Sequence, residues 1–278
     1  MAPITELSSD WDQWLTLNTE RGVPSALLVE DMVKNGFDRG FAVSATSLCM
    51  ARLAATPAPK SGFAPRRASA NHITIDGHPL SVVARIESPQ VTVIEHLLSS
   101  EECDALIALS RPKLARSTTI DRATGAEEVI QDRSSEGTYF MRAENPLVTR
   151  IERRLAELTS YPVENGEGLQ ILHYGVGAEY KPHFDFFEPE YAGSAGHLEK
   201  GGQRVSTTIL YLNDVEAGGA TIFPAISLEV SARKGAAVYF SYFQAGGVPD
   251  RLTLHGGTPV SSGEKWIATK WVRERANL

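Results

Sequence analysis

Five short stretches read as strands, most of them mixing apolar and polar residues near a period of two: LQILHY (169–174), VSTTILYL (205–212), ATIFP (220–224), AAVYF (236–240) and IATKWVR (267–273). Alternation of this kind sends successive side chains to opposite faces of a sheet. Other stretches follow the helical period. Leu147, Ile151, Leu155 and Leu158 share one helix face, and Asn145-Pro146 supplies its start. Ser99 followed by Glu102 forms a capping-box pattern ahead of a helix around Cys103 to Leu109. Asp76-Gly77 marks a turn between the strand-like runs ITI and LSVVARI. Helices first, then many strands punctuated by Gly and Pro, predict a β-barrel or jelly roll buttressed by helices.

Residues 1–54 predict a small helical region. Ser9 is placed to cap a helix carrying Trp11, Trp14 and Leu15, and Gly22-Val23-Pro24 ends it. A second helix carries Leu27, Leu28, Met32 and Val33 and ends near Gly36; a third spans roughly Arg39 to Leu53. Trp11 and Trp14 fit the core of that bundle. Residues 55–70 are rich in Pro, Ala and Ser and read as a linker, with Arg66 and Arg67 solvated. Residues 71–278 then form a second domain, which carries the strand-like runs.

Composition sharpens this picture by exclusion. A chain of 278 residues that is 42% hydrophobic and 22% charged can fill a sizeable core without staples. A net charge of −7 argues against a nucleic-acid partner, which needs a basic stripe. Two cysteines, Cys49 and Cys103, make no disulfide framework and point to a reducing compartment. The start MAPITELSSDWDQW has neither a basic leader nor an apolar run, and no stretch reaches the roughly 18 apolar residues of a membrane span. A cytoplasmic protein without signal peptide or membrane partner is expected.

The candidate chemistry gathers in YKPHFDFFE and TLHGGTPVSSGEKW. The first carries His183 and Asp185, spaced to share one face of a strand while Phe184 points away. The second carries His255, which must arrive from another strand, and Lys265. Two imidazoles and one carboxylate on one face of a metal leave three adjacent positions open, the facial triad of non-haem Fe(II) oxygenases. The same donors suit zinc, so the triad alone leaves a zinc hydrolase open. Residues 186–203 break the strand pattern directly after the metal pair, and their glycines suggest a lid. Within them His197 reads as an exposed loop histidine. Taken singly, Lys265 reads as a surface loop lysine.

In order along the chain, DRSSEGTYF, EGLQILHYGVGAEYKPHFDFF, GGQRVSTTILYLNDVEAGGATIFP, KGAAVYF and LHGGTPVSSGEKWIATKW resemble the catalytic domain of prolyl 4-hydroxylases, from about Val91 to Val272. The resemblance implies a mainly β fold with flanking helices, a double-stranded β-helix (jelly-roll or cupin-like) core behind the N-terminal helical region. It implies Fe(II), 2-oxoglutarate and O2, with ascorbate as accessory reductant. His183, Asp185 and His255 would hold the metal. Lys265 would anchor the distal carboxylate of 2-oxoglutarate through a charge-assisted bond. Tyr174 and Thr221 would donate hydrogen bonds to the same co-substrate, and Tyr211 would line the barrel. Arg133, Ser135, Glu167, Tyr180, Arg204 and Trp271 match positions that contact a prolyl peptide in that family. One departure is Gly257, where the family often has Cys.

The implied reaction is hydroxylation of proline or a proline-like ring, in a peptide or as the free imino acid, with conversion of 2-oxoglutarate to succinate and CO2. Rival substrates are other free amino acids, such as pipecolic acid or one with a linear side chain. Rival classes are a zinc hydrolase and a non-catalytic binding or sensor module. A free acid would need its carboxylate paired, by Arg133 or Arg204; a peptide would need an open groove. Asp185 stands where a halogenase would need chloride.

Overall fold

The computed structural model describes residues 3–20, 23–55, 70–121, 124, 126–128, 132–188, 190–243 and 249–277. The expected linker, with Arg66 and Arg67, lies outside the described residues except at its two ends. Two compact units are present. One holds the N-terminal helices together with Phe243 and Pro249, and the other holds the remaining described residues from Ala70 onward. Among the described residues no helix is long and apolar enough to cross a membrane.

In the first unit, α1 (Ser9–Glu20), α2 (Ser25–Lys34) and α3 (Arg39–Ala55) bury Leu15, Leu28, Met32, Phe37 and Cys49 in a core of their own. Trp11 packs edge-on against Trp14 and Phe37, with ring centroids 4.9 Å apart in each pair. Ser9 does not cap α1. The helix already begins there, and Ser8 Oγ accepts the Trp11 N–H at 3.3 Å instead. Leu27 is exposed, and Val29 takes the buried place beside Leu28 and Met32.

The second unit is built from β1 (His72–Ile75), β2 (His78–Ile86), β3 (Val91–Glu95), α4 (Ser100–Ser110), β4 (Glu136–Phe140), α5 (Pro146–Thr159), β5 (Leu169–Tyr174), β6 (Tyr180–His183), α6 (Ala195–Glu199), β7 (Arg204–Tyr211), β8 (Thr221–Phe223), β9 (Leu228–Val230), β10 (Ala237–Ser241), β11 (His255–Gly257) and β12 (Lys265–Arg273). Asp76 and Gly77 join β1 to β2 with φ of 49° and 72°, a turn whose twist matches the strands it joins. Ser99 and Glu102 complete the capping box of α4. Asn145 Oδ1 accepts the Val148 N–H at the start of α5.

A nine-stranded antiparallel sheet runs β1-β2-β3-β10-β7-β12-β5-β4, with the two-residue strand Ala115–Arg116 at its far edge. A four-stranded sheet runs β9-β8-β11-β6. The period of two sorts the large sheet's side chains into two layers. Ile171, Leu210, Tyr239, Trp266 and Ala268 pack with Leu106 of α4 and with Val148, Ile151, Leu155 and Leu158 of α5. Each buried Leu, Ile or Val among them contributes about 1.5–3 kcal/mol over leaving it in water. Lys270 takes the same side, where its Nζ meets Glu152 Oε1 of α5 at 2.6 Å. The alternate residues Leu172, Tyr174, Ile209, Lys265, Thr269 and Trp271 line a small cavity, closed by Thr221, His255 and His183 from the four-stranded sheet. The two sheets are the walls of a double-stranded β-helix, as expected.

Candidate active site

β11 pairs antiparallel with β6, and His255 lies directly across from His183. Gly256 permits this approach, since a Cβ there would lie 2.9 Å from the Tyr180 carbonyl oxygen. Asp185 does not share the strand with His183. β6 ends at His183, and the Asp185 carbonyl accepts from Arg204 Nη1 at 3.2 Å rather than from a ladder neighbour. The carboxylate still reaches the pair. Asp185 Oδ1 is 3.5 Å from His183 Nε2, and Oδ2 is 3.4 Å from His255 Nε2. One candidate ligand atom from each residue lies within 4.8 Å of the others.

The ring orientations suit a metal. His183 Nδ1 faces the Lys181 carbonyl at 2.8 Å, and His255 Nδ1 faces the Thr253 carbonyl at 3.0 Å. Donation of each Nδ1–H leaves the Nε2 lone pair for a metal. Burial, aided by His255, lowers the His183 pKa against the pull of Asp185. Burial pushes the Asp185 carboxyl up, but His255 and His183 outweigh it and hold the carboxyl well below its usual range. Neutral imidazole and ionised carboxylate are the forms that bind metal, so the donor set fits Fe(II).

Lys265 is not a surface residue. It opens β12 opposite Tyr174 of β5 and is only 3% exposed. Its Nζ lies 5.5 Å from the Tyr174 ring centroid. Burial pushes its pKa down to about 8, with no opposing charge among the described residues to hold it up. A buried ammonium in that condition fits an incoming carboxylate. Thr221 is buried across from Gly257, and its Oγ1 accepts from Tyr211 Oη at 2.8 Å. Burial pushes the Tyr174 hydroxyl up to about 12, so it remains a donor. Tyr174, Thr221 and Lys265 thus line one cavity with the three metal-type ligands. A Cβ at Gly257 would meet Lys265 Nζ at an ordinary 3.6 Å, so the departure there leaves the pocket intact.

Beside the metal corner opens a cleft of about 420 Å³, lined in part by Arg133, Tyr180, Phe184, Phe187, Arg204 and Trp271. Tyr180 stacks on His183 with ring centroids 3.6 Å apart. Arg204 lies over Trp271, 4.0 Å from its centroid. Its Nε and Nη2 donate to Glu167 Oε1 and Oε2 at 2.7 and 2.8 Å. Among the described residues Arg133 donates to neutral acceptors, the Thr118 carbonyl at 2.6 Å and Gln170 Oε1 at 3.1 Å, and its buried Nε finds no partner there.

Two expected substrate contacts fall elsewhere. Glu167 lines neither the cleft nor the inner cavity; it is occupied by Arg204 and by Arg273 Nη1 at 3.0 Å. Ser135 is wholly buried, with its Oγ donating to Ser117 Oγ at 2.9 Å. Both changes arise because buried polar groups satisfy one another first.

Nor is the segment 186–203 a structureless loop. It holds a 3₁₀ turn, Ala192–Ser194, and then α6. Gln203 brackets Phe187, accepting its N–H at 2.7 Å and donating to its carbonyl at 2.6 Å. Arg273 donates to the carbonyls of His197 and Lys200. His197 is half-buried, its ring parallel to Phe187 at 5.1 Å. The sequence pattern also passed over Thr207 and Tyr242, whose hydroxyls reach Asp185 Oδ2 at 2.7 and 3.3 Å. The available signal was a polar residue on the inward face of β7, where Ile209 and Tyr211 follow it.

Comparison with known proteins places this geometry among enzymes. A model of the 2OG-Fe(II) oxygenase superfamily matches residues 169–273. Prolyl 4-hydroxylase 5 of Arabidopsis thaliana is 39% identical over 202 residues, spanning 66% of this chain and 68% of its own. Prolyl 4-hydroxylase subunit alpha-1 of Mus musculus is 36% identical over 189 residues, spanning 68% of this chain and 35% of its own. Among solved structures, viral collagen prolyl hydroxylase from Paramecium Bursaria Chlorella virus-1, in its 2OG complex, aligns with a TM-score of 0.51 and 29% identity. The alignment covers 66% of this chain and 95% of that one.

Proposed function

We propose, from the premise that this chain belongs to the prolyl 4-hydroxylase family of 2-oxoglutarate- and Fe(II)-dependent oxygenases, that it hydroxylates proline within a peptide. Membership makes it a dioxygenase that uses Fe(II), 2-oxoglutarate and O2 and sets aside the zinc hydrolase and the binding module. The metal supplies the oxidation of an unactivated C–H bond. The protein supplies position and shelter from water. His183, Asp185 and His255 would hold the metal, Lys265 would pair with the distal carboxylate of 2-oxoglutarate, and Tyr174 and Thr221 would orient that molecule.

The observation that favours a peptide over a free imino acid is the state of Arg204. Two of its nitrogens are taken by Glu167 and the third by the Asp185 carbonyl. It is therefore already neutralised and has little to offer a substrate carboxylate. It instead presents a flat guanidinium–indole surface with Trp271, and with Tyr180 this suits a saturated ring. The cleft of about 420 Å³ is of the size that holds drug-sized ligands, larger than one imino acid requires. A collagen prolyl hydroxylase among the structural relatives points the same way.

Arg133 supports the second reading, a free imino acid such as proline or pipecolic acid, because among the described residues its side-chain acceptors are neutral. Succinate release separates the two. A prolyl peptide capped at both ends should drive succinate formation as well as its uncapped form, in the wild type and in Arg133→Ala alike. Activity on free proline alone, abolished by esterifying its carboxylate in the wild type, would favour the second reading.

A further inference from the structure

We propose that Thr207 and Tyr242 are positioning residues of the metal centre, holding one oxygen of the Asp185 carboxylate away from the metal so that the carboxylate donates through the other alone. The inference rests on the assignment of Asp185 as a ligand. Thr207 lies on the inward face of β7, and Tyr242 follows β10; both are wholly buried. Thr207 Oγ1 donates to Asp185 Oδ2 at 2.7 Å. Tyr242 Oη lies 3.3 Å from the same oxygen and is in direct contact with Thr207 Oγ1. One proton arrangement satisfies all three groups: Tyr242 donates to Thr207, and Thr207 donates to Asp185.

Two buried hydroxyls converge on Oδ2, whereas Oδ1 faces His183. The asymmetry matters because Oδ2 also lies 3.4 Å from His255 Nε2. Both carboxylate oxygens are thus within reach of the metal corner. A carboxylate that chelated through both would occupy a position needed for co-substrate or O2. A strong hydrogen bond to one oxygen counters that, and outer-shell partners of this kind orient and tune a ligand. Packing alone does not explain the pair. Valine has the shape of threonine and phenylalanine that of tyrosine, and a hydroxyl is buried at a cost unless it has a partner to bond.

The test is Co(II) binding to the metal-free protein without O2, read as affinity and as the visible d–d spectrum. Thr207→Val should bind Co(II) roughly 10- to 100-fold more weakly with an altered spectrum, and Thr207→Ser should restore both. Tyr242→Phe should show a smaller loss of the same kind, and serves alone if Thr207→Val does not fold. Wild-type affinity and spectrum in Thr207→Val and Tyr242→Phe would overturn the inference. A loss in Thr207→Ser equal to that in Thr207→Val would also overturn it. Asp185→Ala separates the two assignments. If it binds Co(II) like the wild type, the ligand assignment falls and the positioning role with it; if it binds weakly while Thr207→Val does not, only the positioning role falls.

Discussion

Asp185 and Lys265 are buried charges lining one cavity, and the fold treats them differently. Asp185 has two imidazoles beside it, the Thr207 and Tyr242 hydroxyls on one oxygen and Arg204 on its carbonyl. Lys265 has the Tyr174 ring 5.5 Å away and, among the described residues, no charge that offsets its desolvation. The first is a finished electrostatic assembly that needs only a metal. The second is an unpaired cation that the protein alone leaves unstable. A buried charge completed by its own chain marks structure or a resident ion; one left incomplete marks where a counter-charged ligand enters.

The largest expected effect is at the completed end. Asp185→Ala removes the central partner of that assembly and one of the three proposed ligands, so turnover and iron binding should both be lost while far-UV circular dichroism is kept. His183→Ala and His255→Ala should behave alike. Near-normal iron-dependent activity in any of the three would remove that residue from the triad.

Next is Glu167, which holds Arg204 and Arg273. Deleting one partner of a fully buried pair costs about 3–5 kcal/mol; Glu167 is half-buried, so Glu167→Ala should lower Tm by less than that figure implies, but measurably and even without substrate. An unchanged Tm, with only the prime-substrate KM raised, would return Glu167 to the substrate groove.

A smaller effect belongs to the incomplete end. Lys265→Ala should raise the KM for 2-oxoglutarate by roughly 10- to 150-fold, as a charge-assisted bond of about 1.5–3 kcal/mol implies, and change the prime-substrate KM little. Equal KM values for 2-oxoglutarate in variant and wild type would contradict the anchor.

The pH dependence is subtler, and its two signs oppose. With its pKa at about 8 in the ligand-free protein, Lys265 loses its proton as pH rises through 8, so 2-oxoglutarate affinity should fall about tenfold from pH 7 to pH 9. Between about 8 and the usual lysine value near 10.5 the unfolded chain binds more protons than the folded one. Ligand-free stability should therefore rise with pH across that window. Lys265→Met should be more stable than the wild type without 2-oxoglutarate and should lose both trends.

How much of this was legible in the sequence follows from which forces are local. LQILHY forms β5 residue for residue, and the capping box at Ser99 and Glu102 starts α4, because alternation and capping are decided within a few residues. The meeting of His183 with His255 was legible once both stretches were taken as strands. Glu167, Ser135 and the segment 186–203 were not. Their positions depend on Arg204, Arg273, Ser117 and Gln203, partners that only the tertiary fold delivers. Lys265 in SSGEKW illustrates the same gap. Its flanking Ser, Gly and Glu resemble a surface turn, yet pairing with β5 buries it.

The central claim is that the completed metal corner and the incomplete lysine together oxidise a ring held in a peptide. Mass spectrometry after turnover under isotopically heavy O2 tests it most directly, using an end-capped peptide with a single proline, Fe(II) and 2-oxoglutarate. The account predicts one heavy oxygen on the proline ring and one in succinate, in equal amounts. Succinate formed beside an unmodified peptide, or oxygen placed on a residue other than proline, would contradict it.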